Sequence, residues 1–327
     1  MMGEAPAGAR GDGPEVSVLI VAYNSLEHIG RCIGAIPHAA PGIAVEVLLI
    51  DNGDGSTARF VGATFPEVRV VATRGNIGFG AGNNELARHA RAPLLLVLNP
   101  DMVLSPDAIL HLVALSREKP DGAGWGGMTL DESGAADASN HLGFPRLRTL
   151  ARRLLFLGER GADPARTIGS GVSEVEVIMG GLAMIPQSSW QELGGFDEGY
   201  FLYCEETDFF LRARYAGKRA WRTPFATATH FAGSGNSHSP SRMLYQAAGL
   251  SHFMHKHWAW PKAWAGVLLW WLVAVERYAL GCLTGRVWAS ARRIGGAYST
   301  VAVRPAQWMN GYAGGYWAKR LGCGAAH

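Results

Sequence analysis

The chain has 327 residues and 48% of them are hydrophobic, which is enough to fill the core of one large domain with an appendage. The formal charge is +3, but residues 242–327 carry ten Lys or Arg against one acid, so this tail is +9 and the remainder is −6. Eight of the eleven tryptophans also lie in the tail. Such a segment is too apolar for a solvated nucleic-acid arm, so we expect a membrane surface and no nucleic acid as its partner.

The composition of the two ends sets the expected domain limits. Residues 1–14 are rich in Gly, Ala and Pro and lack the apolar stretch of a signal peptide, so we expect a disordered lead. A globular domain should follow over 15–238, and the composition changes near 240, so we assign 239–327 to a basic, Trp-rich helical extension. The four cysteines show no paired spacing, which favours a reducing compartment.

In chain order, four apolar runs predict buried parallel strands, at 16–22, 44–50, 68–73 and 94–99. Segments with helical spacing lie between them, at 26–36 and 84–91. This alternation predicts an α/β fold, in which helices flank a mostly parallel sheet with right-handed crossovers. Later segments predict a basic amphipathic helix at 146–160 and further sheet at 175–185 and 220–231.

Polar residues follow the predicted strands. Ligands of open α/β sheets bind beyond the carboxyl ends of the strands, so we expect these residues to lie at one site. They are Tyr23, Asn24, Asp51, Asn52, Arg74, Asn76, Asn99 and Asp101.

These positions have both structural and functional interpretations. Asp51 either caps the next helix or accepts the imide N–H of uracil or thymine. The glycine-dense segment 75–84 does not fit the GxGxxG dinucleotide pattern, and is either a tight helix entry or a backbone that a nucleotide can approach, with Asn76 as a contact. Asp101 ends an Asn-Pro-Asp sequence, which is either a turn or a carboxylate ligand for Mg²⁺ or Mn²⁺ that bridges two phosphates.

The segment 196–217 places several carboxylates among large aromatic residues. An acid held against aromatics loses solvation, so its pKa rises toward the range of a general base. The alternative is a capped helix, with Glu205 and Glu206 in an acidic first turn and Asp208 paired with Arg212 four residues later. His230 follows a strand-like run and is either structural or a ligand for a metal or diphosphate.

Six motifs carry a resemblance to a known family. They are SVLIVAYNS (17–25), LLIDNGDGSTA (48–58), GNIGFGAGNN (75–84), LVLNPDMVL (96–104), IMGGLAMIP (178–186) and GGFDEGYFLYCEETDFFLRARYAG (194–217). In this order they resemble the inverting glycosyltransferases of family 2, in particular the bacterial rhamnosyltransferase-like branch. The resemblance implies a GT-A type, Rossmann-like fold, with a nucleotide-binding half over about 15–104 and an acceptor and catalytic half over about 105–238.

The resemblance also implies roles for single residues. Asp101 and His230 would bind Mg²⁺ or Mn²⁺, and Glu206, or alternatively Glu205, would be the catalytic base. The residues expected at the acceptor are Gly180, Gly181 and Asp208. Those expected at the donor are Ala22, Tyr23, Asn24, Asp51, Arg74, Asn76, Gly80, Asn99 and Asp101, with Asp51 recognising the base. Two positions depart from the family pattern, because Asn99 and Glu206 each stand where an Asp is usual.

The implied reaction moves a sugar, with inversion, from a nucleotide-diphosphate donor to a hydroxyl of a glycan in cell-surface polysaccharide assembly. The favoured donor is dTDP-L-rhamnose, and UDP-hexoses and UDP-N-acetylhexosamines are the alternatives. The acceptor is expected to be linked to a polyprenyl diphosphate. A non-catalytic sugar-nucleotide- or glycan-binding relative is a further alternative, but such a protein needs neither Asp101 nor the Glu205–Glu206 pair.

The basic tail allows several arrangements. Its uninterrupted apolar run, 263–275, is shorter than the ~20 residues of a membrane span, because Glu276 and Arg277 follow it. Interfacial helices are therefore favoured, with Trp at headgroup level and Lys or Arg toward anionic lipid. This interpretation places the protein in the cytoplasm, peripherally on the inner face of the cell membrane. The alternatives are helices packed on the catalytic domain and an interface of a homo-oligomer.

Overall fold

The computed structural model of the chain describes residues 13–73, 75–137, 140, 143–157, 171–231, 239–313 and 315–321. The lead predicted over 1–14 therefore lies almost wholly outside the described residues, and so does the predicted donor contact Arg74.

Among the described residues, nine strands form a mixed sheet at the centre of the molecule. Its strands are β1 Val16–Ala22, β2 Val45–Asp51, β3 Arg69–Val71, β4 Leu94–Leu98, β5 Met102–Leu104, β6 Gly122–Leu130, β7 Ser173–Val175, β8 Leu182–Pro186 and β9 Arg219–His230. The strand order is β3-β2-β1-β4-β8-β6-β9-β5, and β7 also pairs with β9. The first four strands in this order are mutually parallel, as predicted, whereas β8, β5 and β7 run antiparallel to their neighbours.

Helices cover both faces of the sheet and continue into the C-terminal extension. They are α1 Ile29–Ala39, α2 Ser56–Thr64, α3 Phe79–His89, α4 Ala108–Glu118, α5 Leu147–Leu154, α6 Gln187–Leu193, α7 Glu205–Tyr215, α8 Pro240–His257, α9 Trp260–Thr284, α10 Ala289–Val303 and α11 Gly315–Leu321. All seven residues of β1 are buried. Val18 and Ile20 belong to a core cluster with α1, while Leu19 and Val21 belong to a cluster with α3, which explains why this strand is apolar at every position.

The glycine-rich segment is mostly helical, because α3 begins at Phe79 and not near residue 84 as predicted. A Cβ atom added at Gly82 would lie 2.9 Å from the Val21 side chain, and one added at Gly80 would lie 3.3 Å from Phe196. These glycines therefore let α3 pack closely against β1 and against the acidic segment.

The C-terminal helices pack on the α/β domain as well as on one another. Leu150 of α5 shares a core cluster with Met243 of α8, Trp270 of α9 and Val301 of α10. The hydroxyl of Tyr312 lies within hydrogen-bonding distance of the Leu202 carbonyl, in the loop before α7. The arrangement matches the alternative in which the extension packs on the domain, so we expect the two parts to fold together.

Ion pairs fasten α8 to the acidic segment. The buried carboxylate of Asp208 accepts a hydrogen bond from Arg212 Nε at 2.7 Å, and its other oxygen lies 2.7 Å from both Lys256 Nζ and His257 Nε2. Lys256 Nζ also lies 2.5 Å from Asp197. We call Asp197, Asp208, Lys256 and His257 the clasp. Burial alone would raise the pKa of Asp208, but hydrogen bonds from His257 and Lys256 and the charge of Arg212 lower it overall.

The clasp predicts that Asp208→Asn destabilises the protein. Removing this charge leaves Lys256 and Arg212 without their buried partner, so we expect the free energy of unfolding at neutral pH to fall by about 2–4 kcal/mol. The depressed pKa makes the contribution of Asp208 available above its ordinary value of 3.8, and this contribution is lost as the pH falls below that value. Urea denaturation at neutral and acidic pH measures both effects.

The matched control is Glu192→Gln, which breaks a surface ion pair of 2.9 Å with Lys218, where Glu192 is 54% exposed. We expect this variant to lose less than about 1 kcal/mol. Equal losses in the two variants would show that the clasp is no stronger than a surface contact.

Candidate active site

Several predicted donor residues meet where β1 and β2 end. Ala22 pairs with Asp51 in the sheet register, and the Asn52 amide donates to the Ala22 carbonyl at 2.7 Å. A Cβ atom added at Gly53 would lie 3.0 Å from Asp51 Oδ1 and 3.1 Å from the Asn24 backbone nitrogen, so these two residues flank one small space. Tyr23 projects beside them and is 59% exposed.

Asp51 has the capping role that its position allowed. Its two carboxylate oxygens accept backbone hydrogen bonds from Gly53, at 2.8 Å, and from Ala58 in the first turn of α2, at 3.0 Å. The side chain is 7% exposed. Each carboxylate oxygen has a second lone pair, so base recognition stays a prediction that this geometry allows.

The loop before α3 joins this region to the acidic segment. Gly78 has a φ of +90°, and a Cβ atom there would lie 2.7 Å from the Phe201 carbonyl oxygen. The Phe79 amide donates to that same oxygen at 3.0 Å, and Asn52 Nδ2 donates to the Gly78 carbonyl at 2.9 Å. Asn76, a predicted donor contact, accepts from the Gly78 amide at 3.0 Å and so shapes this loop.

A histidine between two aspartates lies at the end of β4 and β9. The pairing of β5 with β9 sets Met102 opposite His230, which brings His230 Nε2 to 3.2 Å from Asp101 Oδ2. His230 Nδ1 lies 3.3 Å from Oδ2 of the buried residue Asp137. Hydrogen bonds with Asp101 and Asp137 raise the pKa of His230 to about 9, so the imidazole is cationic at neutral pH. Sequence reasoning missed Asp137, because no periodic pattern or motif surrounds it.

Asp101 has one carboxylate oxygen available for a further ligand. Its Oδ1 is buried and has no hydrogen-bond partner among the described residues. Within that same part of the chain, no group of three or more His, Cys, Asp and Glu residues converges as a metal site. Any cation at Asp101 would therefore take most of its ligands from substrate and water.

The turn at Gly180 and Gly181 separates this aspartate from the acidic pair. The Asn99 amide donates to the Gly181 carbonyl at 3.1 Å, and a Cβ atom at Gly181 would lie 2.8 Å from Asn99 Nδ2. A Cβ atom at Gly180 would lie 3.7 Å from the Cβ of Glu206. Two small residues therefore allow Asn99 and Glu206 to approach opposite sides of one turn.

Glu205 and Glu206 open α7 after a strained turn. Tyr203 and Cys204 have φ values of +70° and +73°, a left-handed conformation that is uncommon for these residue types. The Oε2 atoms of both glutamates are buried and have no hydrogen-bond partner within the described part of the chain. Burial raises the pKa of both carboxyl groups, and the neighbouring charge of Glu206 raises that of Glu205 further. The predicted desolvated acids are therefore present.

A cavity of about 390 Å³ reaches one of these two acids. Residues of α5, α7, α8 and α9 line it, among them Arg146, Leu150, Arg153, Glu206, Thr207, Gln246, Leu250 and Trp270. Glu206 borders this cavity, whereas Glu205 does not border it and is 2% exposed. The C-terminal extension thus supplies part of the wall around the candidate base, which its composition alone did not indicate.

The structure corrects the prediction that Asp208 contacts the acceptor. Its side chain is completely buried, and its two oxygens are taken by Arg212, Lys256 and His257. No face of this carboxylate is open to a sugar, so its contacts assign it to the clasp.

Residues 17–167 match the family model described as Glycosyl transferase family 2. The chain is 26% identical over 280 residues to an N-acetylglucosaminyl-diphospho-decaprenol L-rhamnosyltransferase of Mycobacterium tuberculosis. The alignment covers 77% of this chain and 87% of that protein. It is 25% identical over 240 residues to rhamnosyltransferase WbbL of Escherichia coli, and this alignment covers 71% of this chain and 88% of that protein.

A solved structure extends the likeness to the fold. The mannosyltransferase PcManGT of Pyrobaculum calidifontis, in complex with GDP-Man and Mn²⁺, superposes with a TM-score of 0.52 and 17% identity, over 91% of this chain and 84% of that chain. This likeness confirms the GT-A type fold. The family match and the two rhamnosyltransferases make the chain similar to family 2 glycosyltransferases of the rhamnosyltransferase-like kind.

Proposed function

We propose that this enzyme transfers a sugar, with inversion, from a nucleotide-diphosphate donor to a hydroxyl of a lipid-linked glycan. The favoured donor is dTDP-L-rhamnose, with UDP-hexoses and UDP-N-acetylhexosamines as the alternatives. Support comes from the two rhamnosyltransferases, one of which is named for a diphospho-decaprenol acceptor. The lipid-linked acceptor would place the protein peripherally on the inner face of the cell membrane, in cell-surface polysaccharide assembly.

The observation that carries the proposal is the buried Oε2 of Glu206, which has no hydrogen-bond partner among the described residues and belongs to a side chain at the wall of the 390 Å³ cavity. A desolvated carboxyl group with a raised pKa is a good general base, because its proton affinity approaches the operating pH. Glu205 is more deeply buried than Glu206 but lies away from the cavity. We therefore assign the base to Glu206 and a supporting role to Glu205.

In this mechanism the acceptor hydroxyl lies in the cavity and gives its proton to Glu206. The acceptor oxygen attacks the anomeric carbon as the bond from that carbon to the diphosphate breaks on the opposite face. One displacement inverts the configuration and releases the nucleoside diphosphate. His230, positioned by Asp137, would stabilise the negative charge that develops on the departing diphosphate, as a cationic imidazole when no metal ion is bound.

The residues present fit a divalent cation, Mg²⁺ or Mn²⁺. Asp101 offers a buried carboxylate oxygen, Oδ1, that has no partner among the described residues. His230 Nε2, 3.2 Å from Asp101 Oδ2, would become a second ligand by releasing its proton. Carboxylate oxygens are the usual protein ligands of such ions, and substrate phosphates complete the coordination. When bound, the ion would neutralise charge on the diphosphate. The solved mannosyltransferase of similar fold contains Mn²⁺.

The first prediction tests the base. Glu206→Gln should lower turnover by about 10²-fold or more, because the amide cannot accept the acceptor proton, while nucleotide affinity stays near normal. Steady-state kinetics and dTDP titration measure the two quantities. The matched control, Glu205→Gln, should keep most of its activity. If Glu205→Gln is the inactive variant instead, the base is the neighbouring residue, and if both variants are active the acidic pair is structural.

The second prediction concerns how buried Glu205 makes the stability of the protein depend on pH. A carboxyl group with a raised folded-state pKa stabilises the fold fully below its ordinary value of 4.5, and this contribution is lost as the pH rises through the folded pKa. Glu205→Gln removes this titration. We therefore expect the Tm of the variant, relative to that of the parent, to increase with pH from mildly acidic to mildly alkaline buffer. A Tm difference independent of pH would show that Glu205 does not titrate in this range.

The third prediction concerns the cation and the donor. Asp101→Asn should abolish the part of dTDP-L-rhamnose binding that depends on Mg²⁺ or Mn²⁺, and leave the fold intact, because it removes only the carboxylate charge. Thermal-shift titrations with dTDP-, UDP- and GDP-sugars, with and without EDTA, measure this and rank the donors. Donor affinity of the parent that is unchanged by EDTA would contradict the metal assignment.

A further inference from the structure

The outward side of α9 is apolar over nearly its whole length. The buried side of this helix is formed by Ala263, Gly266, Val267, Trp270, Val273, Ala274 and Gly281. The opposite side, read at helical spacing, consists of Trp264, Leu268, Leu272, Val275, Ala279 and Leu283. Leu272 and Val275 are half-buried, and Val275 also contacts the core cluster of the extension. From Trp264 to Leu283 this side of the helix extends about 30 Å along the helix axis. Leu268 is 50% exposed and Leu283 is 79% exposed, so we call these six residues the outer stripe.

An outer stripe without charge is unusual for a helix on the surface of a globular protein, where polar residues normally face outward. The charged residues of α9 are Lys262, Glu276 and Arg277. Glu276 pairs with Arg277, and the Arg277 guanidinium lies 4.0 Å from the ring centre of Phe156. These contacts turn the two charges toward neighbouring protein and leave the outer stripe apolar.

Both ends of the outer stripe carry exposed tryptophan and basic residues. Trp260, at the start of α9, is 72% exposed, and Trp288, just beyond its end, is 61% exposed. Lys262 lies near the first of these, and Arg286, Arg292 and Arg293 near the second, and all four are exposed. Tryptophan and basic residues flanking an apolar stripe are typical of helices that lie at a lipid–water interface.

We infer that the outer stripe of α9 docks on an anionic lipid bilayer, with the helix axis in the plane of the membrane. The inference rests on the proposed function, because it supplies the surface through which a lipid-linked acceptor would be met. The charge of +9 over residues 242–327 complements an anionic surface. A second copy of the chain would bring the same positive charge against itself, which disfavours a dimer through this stripe.

The contacts of α9 exclude a spanning orientation, although the helix is long and apolar enough to cross a membrane, with a mean hydropathy of 1.4. Its central part packs against α5, where Arg277 donates a hydrogen bond to the Arg153 carbonyl at 2.6 Å. Trp270, also central, borders the cavity that contains Glu206. A spanning helix would draw these charged neighbours into hydrocarbon, which is costly.

With α9 in the plane of the membrane, the cavity lies at a fixed distance from the bilayer. Trp270 borders the cavity from the inner side of α9, while Leu268 and Leu272 lie on its outer side. One helix diameter, about 10 Å, therefore separates Glu206's cavity from the membrane surface. A sugar diphosphate anchored in that surface lies within reach of the base.

The test compares co-sedimentation of the full chain with vesicles of phosphatidylcholine and phosphatidylglycerol at low salt. The parent should bind, and should bind pure phosphatidylcholine vesicles less. The double variant Leu268→Glu, Leu283→Glu should partition at least about tenfold more weakly, because it places charge in the apolar contact. The control Phe225→Glu makes the same kind of change at a residue of β9 that is 59% exposed, and should bind like the parent.

Several results would overturn the inference. They are a parent that stays in the supernatant, a double variant that binds as well as the parent, and a parent dimer that the double variant converts to monomer. The Tm and the dTDP-L-rhamnose-induced thermal shift of the double variant should match those of the parent, which shows that its fold and donor site are intact. A parent that binds vesicles but shows no donor-induced shift would contradict the proposed function and leave the docking surface standing.

Discussion

The buried carboxylate of Asp208, held between Arg212, Lys256 and His257, is the contact on which the rest of the site depends. A charge removed from water needs close partners, so this carboxylate fixes α7 on one side and α8 on the other. Because Glu206 lies two residues before Asp208 on the same helix, the clasp also fixes the candidate base. The extension is thereby part of the catalytic structure and not an independent appendage.

The site separates two opposite electrostatic environments across the Gly180–Gly181 turn. On one side, His230 is held cationic by Asp101 and Asp137, which suits an anionic leaving group. On the other side, the Glu205–Glu206 pair is desolvated and its proton affinity is raised, which suits removal of a proton. Side chains at the two glycines would push these regions apart, so small residues there keep His230 and the candidate base Glu206 on either side of one turn.

The helices of the extension contribute both a wall of the cavity beside Glu206 and an apolar outer surface. Its helices wall the cavity beside Glu206 with Gln246, Leu250 and Trp270, and α9 turns its apolar outer stripe away from that cavity. The proposed membrane-docking surface and the proposed acceptor cavity thus lie on opposite sides of the same helix. This arrangement explains why a segment so rich in tryptophan and basic residues is packed firmly onto the catalytic domain.

The sequence by itself determined the α/β class and the parallel strands β1 to β4, and its motifs carried the resemblance to the family, because continuous apolar runs and short motifs are local properties of the chain. It did not determine the early start of α3 or the role of Asp208. Only the tertiary structure brought Asp137 to His230 across 93 residues, and His257 to Asp208 across 49. It also decided which of Glu205 and Glu206 borders the cavity. Such pairings depend on side-chain directions that are set by packing between distant segments, and no local pattern records them.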